Sequence, residues 1–242
     1  MQDDEEKMER GGEETEEKTA TTTTATTRAV FCGMFTGSPV YYHDVEQGSD
    51  EWKALRCCLT ASRAAAWFGM RPYNATKGDV VLDVLGLAPP FTTKANGFMA
   101  WGSAAESTAA DSYEDRYLEK LHVRGFYSCP ALGIGASPDR VVLDEEDGSI
   151  RKVVEIKCPA TYRWRGPIQE PHFAHIEQAR MQAFLTGARE ADIFYWAPRA
   201  NWTRNFHIEV LDPVDYLLMH DGDFRDFRET IALAHLENKK KK

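Results

Sequence analysis

The stretch GASPDRVVLDEEDGSIRKVVEIKC, Gly135 to Cys158, constrains the fold of this chain more than any other. Two apolar runs flank DEEDGS, and an Asp-Gly pair between such runs is a strong hairpin signal. A hairpin pivoting about Asp147 sets Asp139 opposite Glu155, because each lies eight residues from the pivot. Strand side chains alternate between faces, so Glu155 and Lys157 point the same way. Pro138 fixes the backbone just before the first acid. Two carboxylates and an ammonium thus converge beside Val141, Val153 and Val154.

Burying such a trio is costly unless something compensates. A divalent cation would: two hard oxygen ligands suit Mg²⁺, with Mn²⁺ as a substitute, while waters and a substrate phosphate fill the octahedron. Lys157 would then orient, or help deprotonate, a water. The same letters also describe a solvent-exposed hairpin carrying an ordinary surface Glu–Lys pair, and from the hairpin alone both readings stay open.

At 242 residues and 43% hydrophobic, the chain is long enough for one globular domain with a sizeable core, expected over residues 29–238. Residues 1–28 stand apart. MQDDEEKMERGGEETEEK holds nine acids against three bases, and a Thr-rich run follows it. Neither has apolar residues to bury, so an acidic, Thr-rich disordered tail is expected. The four closing lysines, Lys239 to Lys242, read as a solvated tail. No signal-peptide core or membrane-length apolar run occurs. Five cysteines, an odd number without CxxC spacing, argue for reduced thiols and against a zinc or iron–sulfur site. The expected setting is intracellular, cytoplasm or nucleus, not secreted and not membrane-bound. The net charge is −9, and the first 18 residues supply six of those charges. A protein of that charge does not coat DNA non-specifically. It needs localised basic contacts, a metal or a closed ring to hold a duplex.

Glu51 to Met70 reads as helix, turn, helix, with Asp50 capping the first helix and Ser62 the second. Open amides near Thr60 and Ser62, with Arg56 one turn upstream, could grip an anion; an ordinary capped helix with a surface arginine is the plain alternative. Gly78 to Leu87 is a further helix. Gly102 to Leu121 is a long one, with Ala105, Ala109, Tyr113, Tyr117 and Leu121 as its buried stripe. Glu106 falls early on it, where an acid favours the helix dipole. Strands follow over His122 to Tyr127, Ile134 to Leu143 and Ile150 to Cys158. Thr161 to Pro171 is a basic, aromatic loop with Arg163, Trp164 and Arg165, suited to DNA backbone or an unpaired base, a lid or a subunit contact. Pro171 to Thr186 is a helix with Ile176, Ala179, Ala183 and Phe184 inside and Gln178 and Gln182 sharing another face. Strands Asp192 to Ala197 and Phe206 to Leu211, then a helix over Pro213 to Leu236 capped by Asp212, complete an α/β fold, a mixed β-sheet flanked by helices. His172 and His175 form no catalytic spacing and read as surface or core residues.

SPDR, VEIKCP, the upstream WKALRCCLTAS and AWGSAAE, and the Gln178/Gln182 helix together resemble the YqaJ-like viral recombinase family. Phage lambda exonuclease belongs to it, within the PD-(D/E)XK nuclease superfamily. The likeness runs in order from about Val45 to about Pro198. It implies a restriction-endonuclease-like core and a Mg²⁺-dependent exonuclease. Such an enzyme degrades double-stranded DNA from 5′ ends for recombination or repair, as a homotrimer ring and with a single-strand annealing protein as partner. It implies Asp139, Glu155, the Ile156 carbonyl and Glu106 as metal ligands, Lys157 and Gln178 as catalytic companions, and Arg56, Thr60, Ser62 and Gln182 at the DNA end. Two departures stand out: Cys57-Cys58-Leu59 replaces the family's Gly and β-branched residue after the arginine, and Arg180 replaces a Gln. A related endonuclease or junction resolvase, a non-catalytic repair scaffold of the same fold, and an RNA substrate are the competing readings.

Overall fold

A computed structural model describes residues 27–30, 38–89, 93–160 and 166–240. The expected loop residues Arg163, Trp164 and Arg165, the closing Lys241 and Lys242, and all but the last two residues of the expected acidic tail lie outside them. Thr27 and Arg28 stand in the first strand.

The elements run β1 (Thr27–Val30), β2 (Val40–His43), α1 (Asp50–Leu55), β3 (Leu59–Thr60), α2 (Ala61–Trp67), α3 (Lys77–Val84) and α4 (Thr93–Tyr117). Then come β4 (Phe126–Cys129), β5 (Ile134–Ala136), β6 (Arg140–Leu143), β7 (Ile150–Lys157), α5 (Phe173–Thr186), β8 (Glu190–Ala197), β9 (Trp202–Ile208) and α6 (Pro213–Lys240). The fold is α/β with mixed sheets flanked by helices, but the strands form two sheets. One orders β1-β2-β4-β5-β3, the other β6-β7-β8-β9. The second positions the site. β6 runs antiparallel to β7, β7 parallel to β8, and β8 antiparallel to β9. A parallel neighbour needs a crossover, and α5 is it.

The hairpin closes in the register its turn dictates. Arg140 faces Val154 and Val141 faces Val153, so extending the ladder by one residue brings Asp139 abreast of Glu155. Val153 packs with Ala179 and Ala183 of α5, whereas Val154 and Ile156 pack with Ala109, Ala110 and Tyr113 of α4. The sheet is therefore sandwiched, and the odd-numbered residues of β7 face α5. A third core joins α2, α5 and α6 through Trp67, Met181, Leu185, Phe224 and Phe227.

Several sequence expectations change. Ile134 to Leu143 is not one strand: Ser137, Pro138 and Asp139 break it, and its halves join different sheets. A proline cannot donate to a ladder, which is why the chain can switch there. His122 contributes only a bridge to Val141, and the strand beyond it starts at Phe126. The long helix begins nine residues before Gly102 and ends at Tyr117, which leaves Leu121 outside it. Glu106 is thus mid-helix, away from the favourable end of the dipole. Ser49, not Asp50, caps α1 by accepting from Trp52 N at 3.1 Å, and Thr60 occupies the α2 cap position where Ser62 was expected. Asp212 does cap α6, accepting from Val214 N at 2.8 Å. Among the described residues no helix is long and apolar enough to cross a membrane.

Candidate active site

The centre forms where β7 ends beneath α5. Glu155 is 1% exposed, and charge buried that deeply must be hydrogen-bonded. Its Oε1 accepts from Lys157 Nζ at 2.5 Å and from Gln178 Nε2 at 2.7 Å, and its Oε2 from Gln182 Nε2 at 2.6 Å. The strand supplies the lysine two residues on. The helix supplies both amides, one turn apart. Asp139, 9% exposed, accepts from Ile156 N at 2.8 Å through Oδ2.

The electrostatics follow from this packing. Burial, then repulsion from Glu155, pushes the Asp139 carboxyl well above the usual range, and Lys157 only partly offsets it. Burial alone would lower the Lys157 ammonium, but Glu155 and Asp139 outweigh it and hold its pKa above the usual lysine range. Lys157 is therefore a firm cation, suited to orienting a water or countering developing charge rather than to taking a proton. With both acids ionised, the two crowded carboxylates would exceed the one ammonium by a charge, and the donor set is all hard oxygen. A cation of the Mg²⁺ class fits that set, two carboxylates sufficing where waters and phosphate complete the shell.

Glu106 is not hydrogen-bonded to this trio. It sits on α4, across the sheet, and its Oε1 is ion-paired to Arg140 at 2.5 Å. Among the described residues no group of three or more His, Cys, Asp and Glu side chains is disposed to hold a metal. Glu106 acts on Asp139 only through its charge. Gln182 also departs from expectation. It is buried, 1% exposed, and its amide is spent on Glu155, not presented to a DNA end. Thr60 is likewise buried, at 2%, with its hydroxyl 3.2 Å from that of Ser62.

A cleft of about 680 Å³ opens from this centre, with Lys157, Gln178, Ser62 and Arg63 among its walls. Ser62 is exposed there. Arg56 lies nearby, its guanidinium 4.3 Å from the Trp52 ring centroid. Burial, and then the Arg63 charge, lowers Arg56 to about 10. Arg63 donates to the Arg56 carbonyl at 2.9 Å and to Asp83 at 2.5 Å. Asp83 pairs with one of these two neighbouring guanidiniums, and the Arg56 guanidinium and the exposed Ser62 hydroxyl are groups that can hold a further anion. Arg63 escaped the sequence reading because only the α2–α3 contact turns it toward Arg56. His175 escaped it too. It lines the cleft, and its Nδ1 is 2.6 Å from the Tyr195 hydroxyl. Desolvation and the Lys157 charge depress it to about 2, so it is neutral.

A mixed four-stranded sheet between helices, with an acid at the hairpin break and Glu-x-Lys at the end of the next strand, is the restriction-endonuclease-like core of the PD-(D/E)XK class. The model of the YqaJ-like viral recombinase domain matches residues 51–188, more than half of the chain. The chain belongs to that family. Its fold is similar to that of an alkaline exonuclease from Laribacter hongkongensis, at TM-score 0.63 and 24% identity over 80% of this chain and 97% of that one. The same exonuclease in complex with dAMP matches at TM-score 0.61 and 23% identity, again over 80% and 97% of the two chains. No curated protein matches the chain significantly.

Proposed function

We propose that this protein is a Mg²⁺-dependent exonuclease that hydrolyses phosphodiester bonds from the 5′ ends of double-stranded DNA, in recombination or repair. The observation that carries the reading is the meeting of Asp139, Glu155 and Lys157 at the end of β7, beside a cleft that Lys157 and Arg63 help to line. Family membership supports nuclease chemistry, and the relative's dAMP complex supports a nucleotide-sized subsite.

Asp139, Glu155 and the Ile156 carbonyl would hold the metal; Glu106 joins only if Arg140 releases it. When bound, Mg²⁺ polarises the scissile phosphate and lowers the pKa of an attacking water. The protein's own groups do the rest. Gln178 and Gln182 fix the Glu155 carboxylate so that it cannot swing away. Lys157 holds the water by its ammonium and offsets negative charge as it develops on phosphate. Arg56, Arg63 and Ser62 receive the 5′-phosphate, which places the first phosphodiester against Lys157.

End-labelled duplexes with a 5′-phosphate or a 5′-hydroxyl, with and without Mg²⁺, test this. The phosphorylated end is degraded faster, only with metal, and Asp139→Ala and Lys157→Ala each lower the rate by at least about 10³-fold while circular dichroism stays that of the parent. Parent-like digestion by both variants would refute the site. Cleavage of duplexes with both 5′ ends blocked would instead favour a related endonuclease or junction resolvase.

A further inference from the structure

The hairpin that carries Asp139 carries a cation that the chemistry above does not use. Arg140 faces Val154 across the ladder, and residues directly opposite share a face, so its side chain lies on the α4 side of the sheet. There its Nη1 donates to Glu106 Oε1 at 2.5 Å and to the Asp139 carbonyl at 2.5 Å. The pair is largely enclosed, with 14% of the Arg140 side chain and 22% of the Glu106 side chain exposed. It adjoins the Asp139 centre: burial, and then the charges of Asp139 and Glu106, push the Cys158 thiol up to about 12, so both acids act on one atom.

A carboxylate oxygen and a carbonyl oxygen thus converge on one nitrogen of a group that cannot lose its charge. Hard oxygens of those two kinds are what a divalent ion beside Asp139 would use. Sites with two ions space them about 3.5–4 Å apart; here a side chain of the protein fills the neighbouring place. The count of charges agrees. With Asp139, Glu155 and Glu106 ionised, Lys157 and Arg140 leave an excess of a single negative charge. One divalent ion already reverses that excess, and a second would leave the centre strongly cationic.

We infer that Arg140 stands in for a second metal ion: its guanidinium occupies Glu106 and the Asp139 carbonyl, and the site takes a single divalent cation. This rests on the nuclease reading above. Arg140 is a positioning residue. It holds Glu106 away from the cation and fixes the backbone of Asp139, whose carboxylate stays against Ile156 N. It also supplies, as a permanent charge, part of the positive potential that a second ion would bring.

The test counts Mn²⁺ by electron paramagnetic resonance on the full chain without DNA. The parent binds a single Mn²⁺ with the spectrum of an isolated ion. Arg140→Gln keeps an amide donor for Glu106 but no charge, and it takes up a second Mn²⁺ at about 3.5–4 Å, which broadens the first by spin coupling. Adding Glu106→Gln to that variant removes the second ion, and Arg140→Lys, which keeps the charge, stays with a single one. A spin-coupled pair in the parent overturns the inference, whether or not Arg140→Gln folds, and leaves the nuclease reading standing. An Arg140→Gln protein with the parent's circular dichroism that binds only one ion overturns it too, as does a second ion that survives Glu106→Gln. A parent that binds no Mn²⁺ overturns the metal-dependent reading and this inference with it.

Discussion

At the scale of single residues, the sequence was most legible where spacing alone decides geometry. Glu155 and Lys157 share a face because they are two apart on a strand, and Asp139 reaches them because an Asp-Gly turn sets the register. Illegible were the partners that only tertiary packing supplies: Arg140 for Glu106, Gln182 buried against Glu155, and Arg63 beside Arg56. The raised Asp139 pKa would make the proposed metal site pH-dependent. Cation binding requires the ionised carboxylate, so apparent Mg²⁺ affinity rises with pH until Asp139 has lost its proton, then levels. Calorimetric Mg²⁺ titrations from pH 5 to pH 9 show this slope in the parent and a flat profile in Asp139→Asn. Linkage gives the metal-free protein the opposite trend. The folded state holds this proton more tightly than the unfolded state. That contribution to stability is full below the ordinary Asp pKa and is lost as pH rises through the raised one.

At the scale of elements, strong punctuation was read well and weak punctuation badly. Gly187, at φ 72°, stops α5 where a C-terminal glycine should. Gly102 misled, since a helix start was placed there, whereas α4 runs straight through it. A Cβ built at Gly102 meets nothing within 4 Å. Gly102→Ala therefore stabilises the protein by about 0.5–1 kcal/mol in urea unfolding, through helix propensity and a less flexible unfolded chain. The switch between sheets at Ser137-Pro138-Asp139 was hidden because Ile134–Ala136 and Arg140–Leu143 are both β-forming, and composition does not say which neighbour each will find. The short β2 and β3 strands went unseen for the same reason.

At the scale of the molecule, β7 spans two charged centres. Near its start, Lys152 lies 2.8 Å from Glu119 and 3.4 Å from Asp192, and Arg151 pairs with Glu119 and Glu190. Tyr113 donates to Asp192 at 2.6 Å and so ties α4 to the sheet. Removing one member of such a network strands the others. Lys152→Met should cost about 3–5 kcal/mol of stability, read by urea unfolding at neutral pH, while kcat at a temperature where the variant is folded stays that of the parent.

The helix that carries Gln178 and Gln182 also seals the core against α2, whose first turn bears Ser62 and Arg63. Under the proposed function, the receptor for an incoming strand and the brace behind the acid that would cut it are bolted to one girder. Loosening that girder anywhere along its length would silence the blade without touching its edge.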